Sequence, residues 1–271
     1  MRTIAVTGAA SGMGAATAAR LTAEGGHVIT VDLHDADVVA DLGTRPGRDA
    51  AIGMIGEQSV GHLDGLVTFA GLAGNPARPG SIVASVNYFG TIELLAGLQP
   101  LLAAGDEPAA VAISSNSTTC QPGVPADVIE ACLAGDEPLA RARADVAGSV
   151  ATYPATKTGV AWWVRRHAPG PDWAGHGIRL NAIAPGMIDT PMIAEGRTFP
   201  EIAAGLDMFP LPLGRAGRPE EIAALVAYLL GPDARFFCGS IVFCDGGTEA
   251  LLRPDAWPSP WDIDISAFGA G

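Results

Sequence analysis

Lysine is almost missing from this chain of 271 residues: among 16 Lys and Arg side chains, Lys157 is the only lysine. Positive charge is scarce altogether. Against 29 Asp and Glu the formal net charge is -13, which argues against nucleic acid or an anionic membrane as a partner. Aromatic residues are few at 6%, with three tyrosines, Tyr88, Tyr153 and Tyr228. The four cysteines (Cys120, Cys132, Cys238, Cys244) form no C-x-x-C pair and have no metal-ligand spacing with histidine. No H-E-x-x-H arrangement occurs either, so no metal is expected, and the thiols read as buried in a reducing compartment. No uninterrupted apolar run reaches the ~18 residues of a membrane span. Residues 1–8 lack a signal-peptide pattern, and a cytoplasmic location is the expectation.

What is abundant is apolar residues, at 48%, together with 35 Gly and 21 Pro. That composition suits a large core with many turns. Short runs rich in Val, Ile and Ala predict strands over 4–7, 27–32, 38–40, 66–69, 109–114, 178–183 and 240–244. Longer amphipathic runs predict helices over 13–24, 48–58, 86–104, 153–167 and 219–230. Continuous apolar strands alternating with helices indicate an α/β fold of one domain over 1–271. The expectation is a doubly wound Rossmann fold, a mostly seven-stranded parallel sheet with helices on both faces. Residues 33–37 are too few for a crossover helix, whereas 116–152 is long and contains helical-looking pieces at 126–133 and 138–146. The segment 187–213 reads as an apolar loop.

The first strand leads into Thr7-Gly8-Ala9-Ala10-Ser11-Gly12-Met13-Gly14 and then directly into a helix. Glycines there let the backbone approach a pyrophosphate, and the helix N-terminus supplies N–H groups and the positive end of a dipole. Asp32 ends the second strand, 18 residues beyond Gly14, where a carboxylate accepts hydrogen bonds from an adenosine ribose. A 2′-phosphate would meet a like charge, and no basic residue follows Asp32 or sits in the glycine loop. NAD is therefore expected over NADP.

Tyr153 and Lys157 stand at i and i+4 near the start of a predicted helix, and so share one face. A phenol near pKa ~10 is a poor base at neutral pH unless its anion is stabilised. A fixed cation at about 5 Å, at an effective dielectric near 20, supplies roughly 3 kcal/mol, or about two pKa units.

The T-G-x-x-x-G-x-G loop and the Y-x-x-x-K pair resemble the short-chain dehydrogenase/reductase family, over essentially the whole chain. Asp41-Leu42, Asn87 in Val86-Asn87-Tyr88-Phe89-Gly90, Ser115 after Ile113-Ser114, Pro185-Gly186 with Thr190, and Asp245-Gly246-Gly247 are similar to further family motifs. In detail the chain is similar to the bacterial 3α-hydroxysteroid dehydrogenase/carbonyl reductase branch, through 35–42, 64–67, 85–90 and the long Ser-to-Tyr segment. The resemblance implies that Tyr153 exchanges a proton with the substrate oxygen and Ser115 positions that oxygen. Lys157 would lower the Tyr153 pKa and bind the nicotinamide ribose, with Asn87 supporting a water relay. The cofactor set so implied is Gly8, Ser11, Gly12, Met13, Gly14, Asp32, Leu33, Asp41, Leu42, Ala70, Gly71, Tyr153, Lys157, Pro185, Gly186, Ile188 and Thr190. One departure stands out: the family's N-N-A-G is Thr68-Phe69-Ala70-Gly71 here, which bears on local packing more than on catalysis.

The substrate pocket is expected between 72–76, 116–152 and 187–213, with the tail 257–271 as a further cover. Met187, Ile188, Met192, Ile193, Phe199, Leu206, Met208 and Phe209 suggest a bulky apolar alcohol or ketone. A steroid follows from the resemblance; a monoterpenoid or other cyclic alcohol is the alternative. A non-catalytic NAD-binding regulator would be expected to lose Tyr153, Lys157 or Ser115, and all three are present. There is no G-x-S-x-G elbow for hydrolase chemistry. An enoyl reductase would use a longer Tyr-to-Lys spacing. The resemblance further implies a homodimer or homotetramer, the insertion favouring the dimer.

Overall fold

The computed structural model describes residues 1–259. Its strands are β1 Thr3–Thr7, β2 His27–Asp32, β3 Val38–Val39, β4 Gly65–Thr68, β5 Ala109–Ile113, β6 Arg179–Pro185 and β7 Ile241–Cys244. They form one seven-stranded sheet in the order β3-β2-β1-β4-β5-β6-β7, and every neighbouring pair is parallel. The helices are α1 Gly12–Ala23, α2 Arg45–Gln58, α3 Gly80–Ala84, α4 Gly90–Ala103, α5 Ser117–Cys120 and α6 Ala126–Leu133. They continue as α7 Glu137–Ala147, α8 Ser149–His167, α9 Pro191–Arg197, α10 Pro200–Met208, α11 Pro219–Leu230 and α12 Thr248–Leu252.

Alternation along the strands divides the core. Ile4, Val6, Val67, Val111 and Ile183 face one layer with Ala18 and Leu21 of α1 and Ile222, Val226 and Leu229 of α11. Ala5, Ile29, Leu66, Ala110 and Leu180 face the other, against Ile55 of α2, Leu94 and Leu98 of α4 and Val160 and Val164 of α8. The winding direction reverses between β1 and β4, which opens a crevice at the carboxyl ends of the strands.

Several boundaries differ from the sequence reading for local reasons. Helix α2 starts at Arg45, not 48, because Thr44 caps it by accepting from the Gly47 N–H at 3.2 Å and Pro46 fits the first turn. The helix predicted from 86 starts at Gly80, where a Cβ would lie 2.0 Å from the Ala144 carbonyl oxygen, so glycine permits backbone contact with α7. Between α3 and α4 the chain widens into a π turn over Ser85–Phe89 with Asn87 at its centre. The whole segment Gly80–Ala103 is apolar and long enough to cross a membrane, but it is mostly buried inside the protein. Helix α8 starts at Ser149, so Pro154 falls inside it; the Val150 carbonyl that Pro154 cannot engage accepts from the Gln121 amide at 3.4 Å.

Two larger corrections concern supposed loops and thiols. The segment 187–213 is not simply a loop, since extended Thr190 and Phe199 are each followed by a proline that opens a helix, α9 and α10. Only Cys132 is buried; Cys120 and Cys244 are half-buried, and Cys238 is exposed in the turn before β7. Conversely, 33–37 behaves as its length demands. Strand β3 is only a two-residue rung beside Val31 and Asp32, and Asp37 pins the turn by accepting from the Thr30 N–H and hydroxyl.

Candidate active site

The crevice above β1 and β4 is a cleft of about 600 Å³. Its floor depends on missing side chains. A Cβ on Gly8 (φ +67°) would lie 2.7 Å from the Ala70 nitrogen, and one on Gly14 would lie 2.0 Å from the Gly8 carbonyl oxygen. Gly12 (φ +52°) faces Thr190. These contacts press the loop against β4 and leave the N-terminus of α1 open behind extended Ser11. Asp32 is fixed in the cleft wall, accepting from the Ala10 N–H at 2.9 Å and from the Leu33 N–H at 2.7 Å.

Gly8, Ser11, Gly12, Met13, Gly14, Asp32, Leu33, Asp41, Leu42, Ala70, Gly71 and Thr190 of the expected cofactor set all line this cleft. Pro185, Gly186 and Ile188 do not. Pro185 pairs with Cys244, a Cβ on Gly186 would meet Asp245 at 2.6 Å, and Ile188 is buried in the core. These three build the wall that carries Thr190. Sequence reasoning missed Val86 and Ile82 from the far wall, and Arg141, which enters from α7.

Behind Gly71, next to the cleft, stands Lys157. Lys157 is 4% exposed and its Nζ donates to the Ile113 carbonyl at 2.9 Å. A Cβ on Gly71 would lie 3.6 Å from that Nζ and 3.3 Å from Asn87 Oδ1, so the three residues stand side by side. The Asn87 amide is committed to the backbone of Leu72, accepting from its N–H at 2.7 Å and donating to its carbonyl at 2.9 Å. It splints the turn after β4, and its side chain makes no direct bond to Lys157. Ser115 Oγ accepts from the Ser117 N–H at 3.1 Å, which leaves its own proton to donate elsewhere. None of Ser115, Tyr153 and Lys157 lines the cleft itself; Lys157 Nζ stands next to Gly71, which does.

Burial dominates the electrostatics. It lowers the Lys157 pKa to about 8. It raises that of the half-buried Tyr153 phenol, with the Ser115 hydroxyl acting in the opposite direction. In the free protein burial thus sets the phenol above its ordinary value, rather than below it as expected from a neighbouring lysine.

The substrate side corrects the apolar expectation in part. Met192 lines the cleft, but Met187 and Ile188 are buried and Met208 is 80% exposed. Ile202 and Leu206 of α10 lie over Gly196 of α9. A second cavity of about 650 Å³ mixes Asn75, Arg78, Gln121, Asp145 and Ser149 with Pro76, Pro79, Ala147 and Val150 in its walls. Glu195 of α9 closes the gap towards it, accepting from Asn75 at 3.1 Å and Arg78 at 2.8 Å. Trp257 is exposed, while Trp261 and Phe268 lie outside the described residues. Among the described residues no three His, Cys, Asp or Glu side chains gather as a metal site would need.

The departure at 68–69 has a visible consequence. Thr68 Oγ1 is buried without a hydrogen-bond partner, and Phe69 lines the cleft.

Comparison with known proteins agrees with this geometry. Residues 2–126 match the family model described as short chain dehydrogenase, and 138–249 match that described as enoyl-(acyl carrier protein) reductase. The chain is 37% identical to the 3-alpha-hydroxysteroid dehydrogenase/carbonyl reductase of Comamonas testosteroni, over 94% of this chain and 99% of that protein. It is 30% identical to levodione reductase of Leifsonia aquatica, over 92% and 94% of the two chains. The crystal structure of the 3-alpha-hydroxysteroid dehydrogenase from Pseudomonas sp. B-0831 complexed with NADH superposes with a TM-score of 0.90 at 42% identity, covering 93% of this chain and 99% of that one. With the glycine cradle, the parallel sheet and the Tyr153–Lys157 pair on α8, the chain belongs to the short-chain dehydrogenase/reductase family, as an oxidoreductase related to hydroxysteroid dehydrogenase/carbonyl reductase.

Proposed function

We propose that the protein is an NAD-dependent dehydrogenase that interconverts a bulky apolar secondary alcohol and its ketone, with a hydroxysteroid as the first substrate class to try. The observation that carries this reading is the convergence of Asn87, Lys157 and Gly71 at the inner end of a cleft whose outer wall holds Asp32. The cleft suits a dinucleotide: its volume falls within the ~300–1,000 Å³ of ligand pockets, and its floor is a backbone cradle that added Cβ atoms would fill.

When bound, the nicotinamide accepts or donates the hydride. The protein's part is orientation and proton movement. The N-terminus of α1 and the glycine loop hold the pyrophosphate, and Asp32 accepts from the adenosine ribose. Lys157 Nζ, anchored on the Ile113 carbonyl and adjacent to Gly71, would bind the second ribose. Ser115 donates its free proton to the substrate oxygen. Tyr153 takes the proton from the alcohol, or returns it to the ketone, at its phenol oxygen. Because burial holds the phenol high in the free protein, its activation depends on charge brought in by the ternary complex.

NAD preference follows from the Asp32 carboxylate, which disfavours a 2′-phosphate. Titration of the protein with NADH and NADPH tests it. Tighter binding of NADH, by about tenfold or more, is expected, and Asp32→Ala should narrow the gap. NADPH binding as tightly as NADH would contradict the assignment.

A further inference from the structure

Arg141 is the one basic side chain lining the cleft, and the account above leaves its chemistry unused. It stands on α7, within the insertion 116–152, and shares the outer end of the cleft with Asp41, Leu42, Ile82 and Val86. That end is narrow: a Cβ on Gly43 would lie 3.0 Å from Val86 Cγ2. Arg141 is held there by a built network. Its Nη1 donates to Ser85 Oγ at 2.5 Å, and that hydroxyl donates to Glu137 Oε1 at 2.7 Å. Glu137 is in turn ion-paired at 2.5 Å to Arg48, which is fully buried, pairs with Glu93 at 2.7 Å and donates to the Leu42 carbonyl at 3.3 Å. Among the described residues no carboxylate lies within ion-pair distance of Arg141 itself. A chain with a net charge of -13 thus directs into this cleft a guanidinium that is bonded to Ser85 through Nη1 but paired with no carboxylate among the described residues.

The surroundings indicate what that cation meets. The glycine loop and α1 already provide for phosphate, and Asp32 and Asp41 make this wall unfavourable to a second phosphate. Leu42, Ile82 and Val86 are aliphatic walls suited to a flat base, and a guanidinium plane stacks on such a ring. We propose that Arg141 is a cofactor-recognition residue that packs its guanidinium on the adenine of the dinucleotide, making the insertion part of the cofactor site. This rests on the reading of the cleft as a dinucleotide site.

The test is calorimetric titration of wild type, Arg141→Met and Arg141→Lys with NADH, NADPH and ADP-ribose, with melting temperatures measured alongside. Methionine keeps an apolar stem but no plane or charge. ADP-ribose and NADH affinity should fall together in it, by about fivefold to thirtyfold, at an unchanged melting temperature. Lysine keeps the charge without the plane and should also bind ADP-ribose less tightly than wild type; it serves alone if the methionine variant does not fold. Wild-type affinity for ADP-ribose in a folded variant, or a loss confined to NADPH, would overturn the proposal. Wild-type protein that binds neither NADH nor ADP-ribose would instead overturn the dinucleotide reading on which it rests.

Discussion

Lys157 has a double cost and a single use. Its ammonium is buried beside the Ile113 carbonyl, and burial brings its pKa from 10.5 to about 8. The unfolded chain therefore holds that proton more tightly than the folded one. The penalty is present in full below pH 8 and fades as the pH rises towards 10.5. Lys157→Met should accordingly be more stable than the wild type at pH 7, by up to about 3 kcal/mol, with the advantage shrinking from pH 8 upward. Urea unfolding of both proteins across that range reads it directly. A variant no more stable at pH 7, or an advantage that grows with pH, would show that the ammonium is not strained by burial. Stability given up in this way points to a functional role, and a compact ammonium fits between a phenol and a ribose where a broad guanidinium does not. That rationale was legible in the sequence because Lys157 is the only lysine.

Elements were legible wherever apolar periodicity alone sets them, and less so where a single backbone contact decides. The strand runs around Ala5, Leu66 and Ala110 read directly from the chain because both faces of the sheet are covered. The start of the helix at Gly80 did not, since it depends on the Ala144 backbone across a gap that only glycine permits. Nor did α9 and α10, whose short amphipathic turns resemble an apolar loop until Pro191 and Pro200 are recognised as first-turn residues. Arg141 was invisible for a related reason: a cleft residue carried by an insertion has no spacing relative to the glycine loop. Strand β4 carries a testable flaw, the buried and unpartnered Thr68 hydroxyl. Thr68→Val should raise stability by about 1 kcal/mol, seen as a higher urea midpoint at unchanged slope. A loss of stability would mean that the hydroxyl has a partner after all.

At the scale of the whole molecule, the insertion does more than lengthen a connection. Its helices α6 and α7 lie against α8 and α3, and Glu137 locks it to α2 and α4 through Arg48. One flank of α3 and α8 is thus covered by the chain itself. We expect a dimer in solution; light scattering that returns the mass of four chains would contradict this.

The central claim is that one crevice, made by β1, β4 and α8, moves a hydride and a proton between NAD and an apolar secondary alcohol through Tyr153. The most direct measurement is NADH formation from NAD with a panel of steroid and monoterpenoid alcohols, for wild type and Tyr153→Phe side by side. The account predicts turnover of at least one such alcohol by the wild type. It also predicts a fall of about 10²–10⁴-fold in the phenylalanine variant, with NADH binding retained. Undiminished turnover by Tyr153→Phe would contradict it.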